Sequence, residues 1–266
     1  MLGKSIRLER IIDRNSKKTV ILPLDHGAGM GPIDGLVDFK TAVDAAAEGG
    51  ANAVAGHLGL ALHGHRSAGK DVGLILHFSV STELNPTGGD EKVSVNNVQT
   101  ALKMGADAVS IHVNFGSETE AEQLRVFGKI ATNCLEWGMP LLVMAYPRGP
   151  KIKNPNDVKN VKIVARIAAE LGADIIKVPY TGDPKSFEEV VKGALGVPVV
   201  IAGGEKGNDL QALKNVEGAI AAGGAGVAMG RNAFQHKNPA DFIKATAAVV
   251  HNGKTAEEAV GEFLEG

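Results

Sequence analysis

The 266-residue sequence predicts an α/β fold, an eight-stranded parallel (β/α)8 barrel occupying one domain over residues 1–266. Three observations predict it. One phrase recurs, in which a helical stretch ends in Gly and a short apolar run follows a small or polar residue. It reads Gly49-Gly50-Ala51-Asn52-Ala53-Val54, Gly105-Ala106-Asp107-Ala108-Val109, Gly172-Ala173-Asp174-Ile175-Ile176 and Gly223-Gly224-Ala225-Gly226-Val227. The apolar runs are continuous rather than alternating, as in strands covered on both faces. Helix-like segments separate successive runs, the alternation that builds a parallel sheet. A doubly wound open sheet is the alternative, but no Gly-x-Gly-x-x-Gly follows the first run.

Taken in order, residues 2–14 read as an extra N-terminal helix closing the bottom of the barrel. The first strand covers 19–24 and is followed by a helix over 38–48. The second starts at Ala53-Val54, and its link, 58–71, is rich in Gly and His and only weakly helical. The third covers 72–78, with a helix over 93–104 behind it. The fourth starts at Ala108, before a helix over 118–137 that carries Cys134 at a buried position. The fifth covers 141–145, then a helix over 157–171. The sixth contains Ile175-Ile176-Lys177-Val178, then a helix over 185–192. The seventh covers 197–201, then a helix over 208–222. The eighth starts at Gly226-Val227, then a helix over 239–251. The repeated Gly is the C′ residue whose left-handed conformation ends each helix.

With 44% hydrophobic and 22% charged residues the chain has enough apolar material for a large core. A net charge of −2 without a basic block gives no footprint for nucleic acid. No apolar run approaches the ~18 residues of a membrane span, and no secretory leader is visible. The single cysteine excludes an intrachain disulfide and a Cys-based zinc site, in keeping with a reducing cytoplasm. The expected partner is a small molecule.

Lys177 lies inside the apolar run Ala173-Asp174-Ile175-Ile176-Lys177-Val178-Pro179. Burying an ammonium costs several kcal/mol unless it is paired or loses its proton. A desolvated lysine can serve as the free amine that attacks a carbonyl and forms a Schiff base. The other reading is a packed stem whose head reaches water at the strand end. Catalytic groups in such barrels sit at the C-terminal strand ends. There the sequence places Asp25, His77, His112 with Asn114, Tyr146 with Arg148, Lys177, Glu205 with Lys206, and Arg231. Barrels often bind phosphate on the loops after strands seven and eight. Gly203-Gly204 and Gly230-Arg231 supply backbone N–H groups and a cation at those two positions. Asp25 and Tyr146 are the candidate proton movers, with Tyr180 competing for the role of Tyr146. Six histidines fall in the first half, and His63-Gly64-His65 could hold zinc in a metal-dependent enzyme. The i, i+2 spacing is not diagnostic. A basic lip of His63, His65, Arg66 and Lys70, facing an anionic substrate or another subunit, explains it without leaving Lys177 over.

The set Asp25-His26-Gly27, Tyr146-Pro147-Arg148-Gly149, Lys177 with Tyr180-Thr181-Gly182-Asp183, Ala202-Gly203-Gly204 and Gly230-Arg231-Asn232 resembles the archaeal-type class I fructose-bisphosphate aldolases over nearly the whole chain. Finer features, among them His63-Gly64-His65-Arg66 and Ser110-Ile111-His112-Val113-Asn114, are similar to a transferase branch of that family. The resemblance implies a TIM barrel with Lys177 as the Schiff-base lysine, Asp25 as proton acceptor and Tyr146 as proton donor. It implies substrate contacts from Asp25, His26, Gly27, Ala28, Gly29, Tyr146, Pro147, Arg148, Lys177, Gly203, Gly204, Gly230 and Arg231. It further implies transfer of a three-carbon ketone unit from the sugar phosphate 6-deoxy-5-ketofructose 1-phosphate to L-aspartate semialdehyde, on a route to 3-dehydroquinate and the aromatic amino acids. Cleavage of fructose bisphosphate is the alternative. No metal or cofactor is implied, since the iminium is the electron sink, and a homo-oligomeric ring such as a decamer is. One departure stands out. The family usually continues Gly-Gly with Pro-Lys-Thr, whereas here Glu205-Lys206-Gly207 follows, placing a carboxylate beside the expected phosphate loop.

Overall fold

In the computed structural model, which describes residues 2–65, 72–85 and 89–265, ten strands form. In chain order they are β1 (Thr19–Pro23), β2 (Ala53–Gly56), β3 (Gly73–His77), β4 (Ser79–Val80), β5 (Val93–Ser94), β6 (Ala108–Phe115), β7 (Leu141–Pro147), β8 (Ile175–Val178), β9 (Val199–Ala202) and β10 (Gly226–Ala228). Eight of them close into a parallel barrel in the order β1-β10-β9-β8-β7-β6-β3-β2, while β4 and β5 make a separate antiparallel ribbon. The helices are α1 (Leu2–Leu8), α2 (Gly27–Met30), α3 (Phe39–Glu48), α4 (Leu58–His63), α5 (Val98–Lys103), α6 (Glu120–Trp137), α7 (Val158–Glu170), α8 (Pro184–Gly193), α9 (Asp209–Ala221), α10 (Arg231–Phe234), α11 (Pro239–Asn252) and α12 (Ala256–Phe263). The barrel and its eight expected strands therefore form as the sequence pattern indicates. None of these helices is long and apolar enough to cross a membrane.

The strands alternate between two cores. Ile21, Ala53, Ala55, Ile75, Ala108, Leu142, Met144, Ile175, Val200 and Ala228 fill the barrel interior. Their neighbours one residue along, among them Leu22, Val54, Leu76, Val109, Val143, Ile176 and Val227, pack outward under the helices. Because the period is two, the interior set continues upward through Asp25, His57, His77, Tyr146 and Lys177. The register Met144↔Lys177↔Val200 places Lys177 beside interior residues. Slipping β8 by one residue would send the ammonium into the helix layer.

At the bottom of the barrel the recurring Asp or Asn has a structural task. Asn52 Oδ1 accepts from the Val20 N–H at 2.7 Å, Asp107 Oδ2 from Leu74 at 3.0 Å and Asp174 Oδ2 from Leu141 at 2.9 Å. Each side chain closes the backbone of the neighbouring strand. Arg10 neutralises Asp107 at 2.6 Å and Lys4 neutralises Asp174 at 2.9 Å, so the N-terminal segment is stapled beneath the barrel.

Two expectations change, and one helix is added. The extra helix stops at Leu8 and buries none of its own residues; the plug is Ile11 just beyond it, fully buried in the interior core. The helix expected over 93–104 begins only at Val98, because Asn97 caps it by accepting from the Thr100 N–H. The β-branched Val93 instead pairs with Val80 in the ribbon. The chain beyond 251 adds α12, started by a capping box between Thr255 and Glu258.

Candidate active site

The C-terminal mouth of the barrel opens into a cavity of about 540 Å³. Asp25, His57, His77, His112, Met144, Tyr146, Arg148 and Lys177 line one part of it, and Gly203, Gly204, Gly230 and Arg231 another. Small interior residues, Ala202 and Ala228, leave room on the wall formed by β9 and β10.

Lys177 is only 6% exposed, with its amine reaching the cavity from the inward face of β8. Asp25 follows β1 and is flanked by two imidazoles: His26 Nδ1 lies 3.5 Å from Oδ1 and His77 Nε2 lies 3.7 Å from Oδ2. Burial by itself raises the Asp25 carboxyl, but the positive potential of His77, His26, Lys177 and His57 outweighs it and holds the group well below the usual carboxylate range. Burial also drives the imidazoles towards their neutral forms, His77 to about 4, with His26 and His57 lowered and His112 lowered strongly. Near neutral pH these rings face Asp25 as dipoles, and the Lys177 side chain lines the same cavity. Among the described residues Asp25 Oδ1 and His26 Nδ1 are buried without a hydrogen-bond partner. His77 is oriented from behind by Ser110 Oγ at 2.8 Å, and His57 Nδ1 bonds to the His77 carbonyl at 3.2 Å.

The two tyrosines separate. Tyr146 lines the cavity, 4.9 Å between ring centroids from His112 and with the Arg148 guanidinium 4.7 Å over its own ring. Tyr180 turns to the outer layer, where it packs on Phe187 at 5.4 Å and fills the space that a side chain at Gly218 would need. It does not line the cavity, because β8 has ended and the chain is already turning towards α8.

Next to β8 in the barrel, the ends of β9 and β10 approach closely. A Cβ on Gly203 would lie 2.2 Å from Met229 Cγ, and one on Gly230 would lie 2.7 Å from His26 Cε1. Asn232 holds the turn after β9. Its Nδ2 donates to the carbonyls of Gly203 (3.0 Å) and Glu205 (3.1 Å), and its Oδ1 accepts from the Gly207 N–H at 2.9 Å. Arg231 donates to the Gly204 carbonyl at 3.2 Å. Glu205 is exposed and outside the cavity lining, while Lys206 bonds to the Gln235 carbonyl. The unusual carboxylate thus points away from the mouth.

The structure therefore brings Asp25, His26, Gly29, Tyr146, Arg148, Lys177, Gly203, Gly204, Gly230 and Arg231 to one cavity. Gly27, Ala28 and Pro147 do not line it. Among the described residues no group of three or more His, Cys, Asp or Glu is placed to hold a metal. His63 is exposed and the His65 ring bonds to the Val72 carbonyl at 2.8 Å; Arg66 and Lys70 lie outside the described residues. Sequence reasoning missed Ser81, Glu83 and Lys92, which also line the mouth.

Residues 19–236 match the sequence model of the DeoC/LacD family aldolases. The chain belongs to that family. This aldolase is 45% identical over 264 residues to the 2-amino-3,7-dideoxy-D-threo-hept-6-ulosonate synthase 1 of Archaeoglobus fulgidus, covering 97% of this chain and 95% of that one. It is 40% identical over 258 residues to the 2-amino-3,7-dideoxy-D-threo-hept-6-ulosonate synthase of Halobacterium salinarum, with the same two coverages, 97% and 95%. Among solved structures it resembles an archaeal fructose 1,6-bisphosphate aldolase at 35% identity and a TM-score of 0.86, over 94% of this aldolase and 100% of the other chain. Another solved structure of an archaeal fructose-1,6-bisphosphate aldolase, with the catalytic lysine covalently bound to the carbinolamine intermediate of the substrate, matches at 34% identity and a TM-score of 0.86, over 93% and 99% of the two chains.

Proposed function

We propose that this aldolase acts as a 2-amino-3,7-dideoxy-D-threo-hept-6-ulosonate synthase, moving a three-carbon ketone unit from 6-deoxy-5-ketofructose 1-phosphate to L-aspartate semialdehyde. The observation that carries the reading is the amine of Lys177, withdrawn into the barrel beside Asp25 in a chain whose synthase relatives match 97% of it. Lys177 Nζ attacks a ketone of the donor, and loss of water from the carbinolamine leaves an iminium. Removal of the donor hydroxyl proton lets the adjacent C–C bond break. Its electron pair enters the iminium, giving a lysine-bound enamine and a free phosphate-bearing aldehyde. The enamine carbon then attacks the aldehyde of aspartate semialdehyde, the new alkoxide takes a proton, and hydrolysis of the iminium releases product and Lys177. Asp25, held as the carboxylate, is the proton acceptor; the Tyr146 hydroxyl is the proton donor. His26, Gly29, Arg148, Gly203, Gly204, Gly230 and Arg231 contact the sugar phosphate. The iminium serves as electron sink, so the cycle needs neither metal nor cofactor. The same reading takes the enzyme as a cytoplasmic homo-oligomer.

Borohydride reduction in the presence of donor tests it. The expected result is a stable secondary-amine adduct on Lys177 by mass spectrometry, absent from Lys177→Ala, and acceptor-dependent formation of the seven-carbon amino sugar acid. An unchanged protein mass refutes the lysine chemistry. Cleavage of fructose 1,6-bisphosphate without that product assigns the enzyme to the aldehyde lyases instead.

A further inference from the structure

Strand β6 sends an unusual series of residues into the barrel. Ala108 packs in the interior core, and by the period of two the next inward positions are Ser110, His112 and Asn114. Ser110 is fully buried, and in the register with the neighbouring strand it stands beside His77. Its hydroxyl oxygen lies 2.8 Å from His77 Nδ1, and among the described residues it has no other hydrogen-bond partner. A buried hydroxyl is costly unless it is bonded, so serine at this position serves the imidazole.

The contact selects one tautomer of the neutral ring. With the proton on Nδ1, that N–H would donate to Ser110 Oγ. The serine hydrogen would then be buried without an acceptor, and the Nε2 lone pair would face the Asp25 carboxylate. With the proton on Nε2, Ser110 donates to Nδ1 and the Nε2–H points at Asp25 Oδ2, 3.7 Å away. Both protons then have an acceptor, and this form prevails. The ring has little room to leave the pose. His77 is 2% exposed, and the Phe78 N–H donates to the Ser110 carbonyl at 2.8 Å, fastening the end of β3 to β6. His57 donates from Nδ1 to the His77 carbonyl at 3.2 Å, and its ring stands 5.2 Å from that of His77. Burial keeps His77 neutral, so it offers Asp25 a dipole rather than a charge.

At 3.7 Å the contact between Nε2 and Oδ2 is longer than a hydrogen bond, as catalytic contacts commonly are before substrate tightens them. We infer that His77, its tautomer set by Ser110, is a positioning residue of the reaction, whose Nε2–H holds the Asp25 carboxylate in the orientation and ionised form of the proton acceptor. Ser110 acts through His77, and His77 acts through Asp25. The other groups facing that carboxylate are His26 beside it in the chain, His57 after β2, Lys177 on β8 and Lys92 before β5. The charge at Lys177 changes through the cycle, from amine to cationic iminium to neutral enamine, whereas the His77 dipole stays constant. The inference rests on the reading of Asp25 as proton acceptor in the proposed function.

The test measures the pH dependence of donor kcat/KM, at saturating aspartate semialdehyde, in wild type, His77→Gln, His77→Asn and Ser110→Ala. A glutamine amide reaches the place of Nε2 and still offers an N–H to Asp25. An asparagine amide reaches only the place of Nδ1 and stops at Ser110. His77→Asn is expected to lower kcat/KM at pH 7 by about 10- to 100-fold, the loss of one hydrogen bond to a charged group, and His77→Gln to recover most of it. Without the donor the carboxylate form of Asp25 is disfavoured, so the acid limb of kcat/KM moves to higher pH in His77→Asn, and in the same direction in Ser110→Ala. The position of the limb is independent of how much of a preparation is folded, and donor-dependent borohydride trapping gives the competent fraction. A limb that keeps its wild-type position in His77→Asn or in Ser110→Ala, or that moves as far in His77→Gln as in His77→Asn, overturns the inference. An Asp25→Asn enzyme with wild-type turnover, or a wild type that forms no adduct with donor, places the failure in the proposed function instead.

Discussion

Asn232 organises the glycine edge, and its removal has a calculable consequence. Asn232→Ala deletes three hydrogen bonds from a side chain that is 3% exposed, two to the carbonyls of Gly203 and Glu205 and one from the Gly207 N–H. At roughly 1 kcal/mol net per bond the loss is about 3 kcal/mol. Gly203 is half-buried and residues 204–208 are exposed, so the freed backbone groups can reach water and little further burial penalty is added. The turn can open without unfolding the barrel, and the loss falls on local order rather than on global stability. The expected result is a rise in donor KM on the order of 100-fold, with a urea midpoint close to that of wild type. Asn232→Asp keeps the acceptor for Gly207 but loses both donors and sets a carboxylate against two carbonyls, so its donor KM should rise at least as far. Steady-state kinetics on the sugar phosphate, alongside urea denaturation, measure both quantities. A folded Asn232→Ala enzyme with donor KM within twofold of wild type refutes the role given to this side chain.

Two further outcomes follow from buried titratable groups. His77 is lowered by burial to about 4, against 6.5 in the unfolded chain. The unfolded state therefore binds the extra proton between those values, and stability is complete above pH 6.5 and falls as pH drops towards 4. Between pH 8 and pH 5 this amounts to about 2 kcal/mol, and His77→Gln should shrink the measured difference in unfolding free energy by that amount; an undiminished difference counts against it. Cys134 lies on the buried face of α6 with its thiol pushed up to about 12, so a thiol-specific reagent at pH 8 should label it only at the rate of opening and much faster in urea. Rapid stoichiometric labelling of native enzyme would contradict that burial.

How much of this was legible depended on periodicity. The eight barrel strands and most of the helices between them could be read, because Gly-terminated helices and continuous apolar runs are local signals. Lys177 stood out for the same reason, being a charge where the run demands an apolar residue. Which way it points was not legible, since both faces of β8 are buried and give no alternation; closure of the barrel decides it. Tyr180, three residues on, illustrates the limit. It shares a segment with Lys177, yet the turn into α8 carries it to the other side of the sheet. Lys92 was hidden by a wrong element. Residues 93–97 read as the start of a helix, and only the pairing of Val80 with Val93 brings Lys92 to the mouth. Gly89 and Asp90 are likewise fixed by Asn114 and Gln123, contacts across many residues of sequence that no local pattern announces.

The two ends of the barrel show how the same acid serves opposite purposes. Asp107 and Asp174 at the bottom, like Asp25 at the top, are poorly exposed and adjoin a strand. What separates them is satisfaction. Asp107 accepts from a backbone N–H and from Arg10, and Asp174 from a backbone N–H and from Lys4, so each lone-pair direction that matters already has a donor. Such a carboxylate has nothing left to give to a substrate, and its chemistry is spent on closing the sheet. Asp25 keeps Oδ1 without a hydrogen bond while His26 and His77 stand just beyond bonding distance. A buried carboxylate in that state is costly unless a reactant's hydroxyl or an iminium completes it. The cost is tolerable because Lys177, itself an expensive residue to bury, faces the same space, and each offsets part of the other's desolvation. The pair is thus stabilised as a unit and left incomplete as hydrogen-bonding groups, which is the condition a proton acceptor beside an imine-forming amine requires.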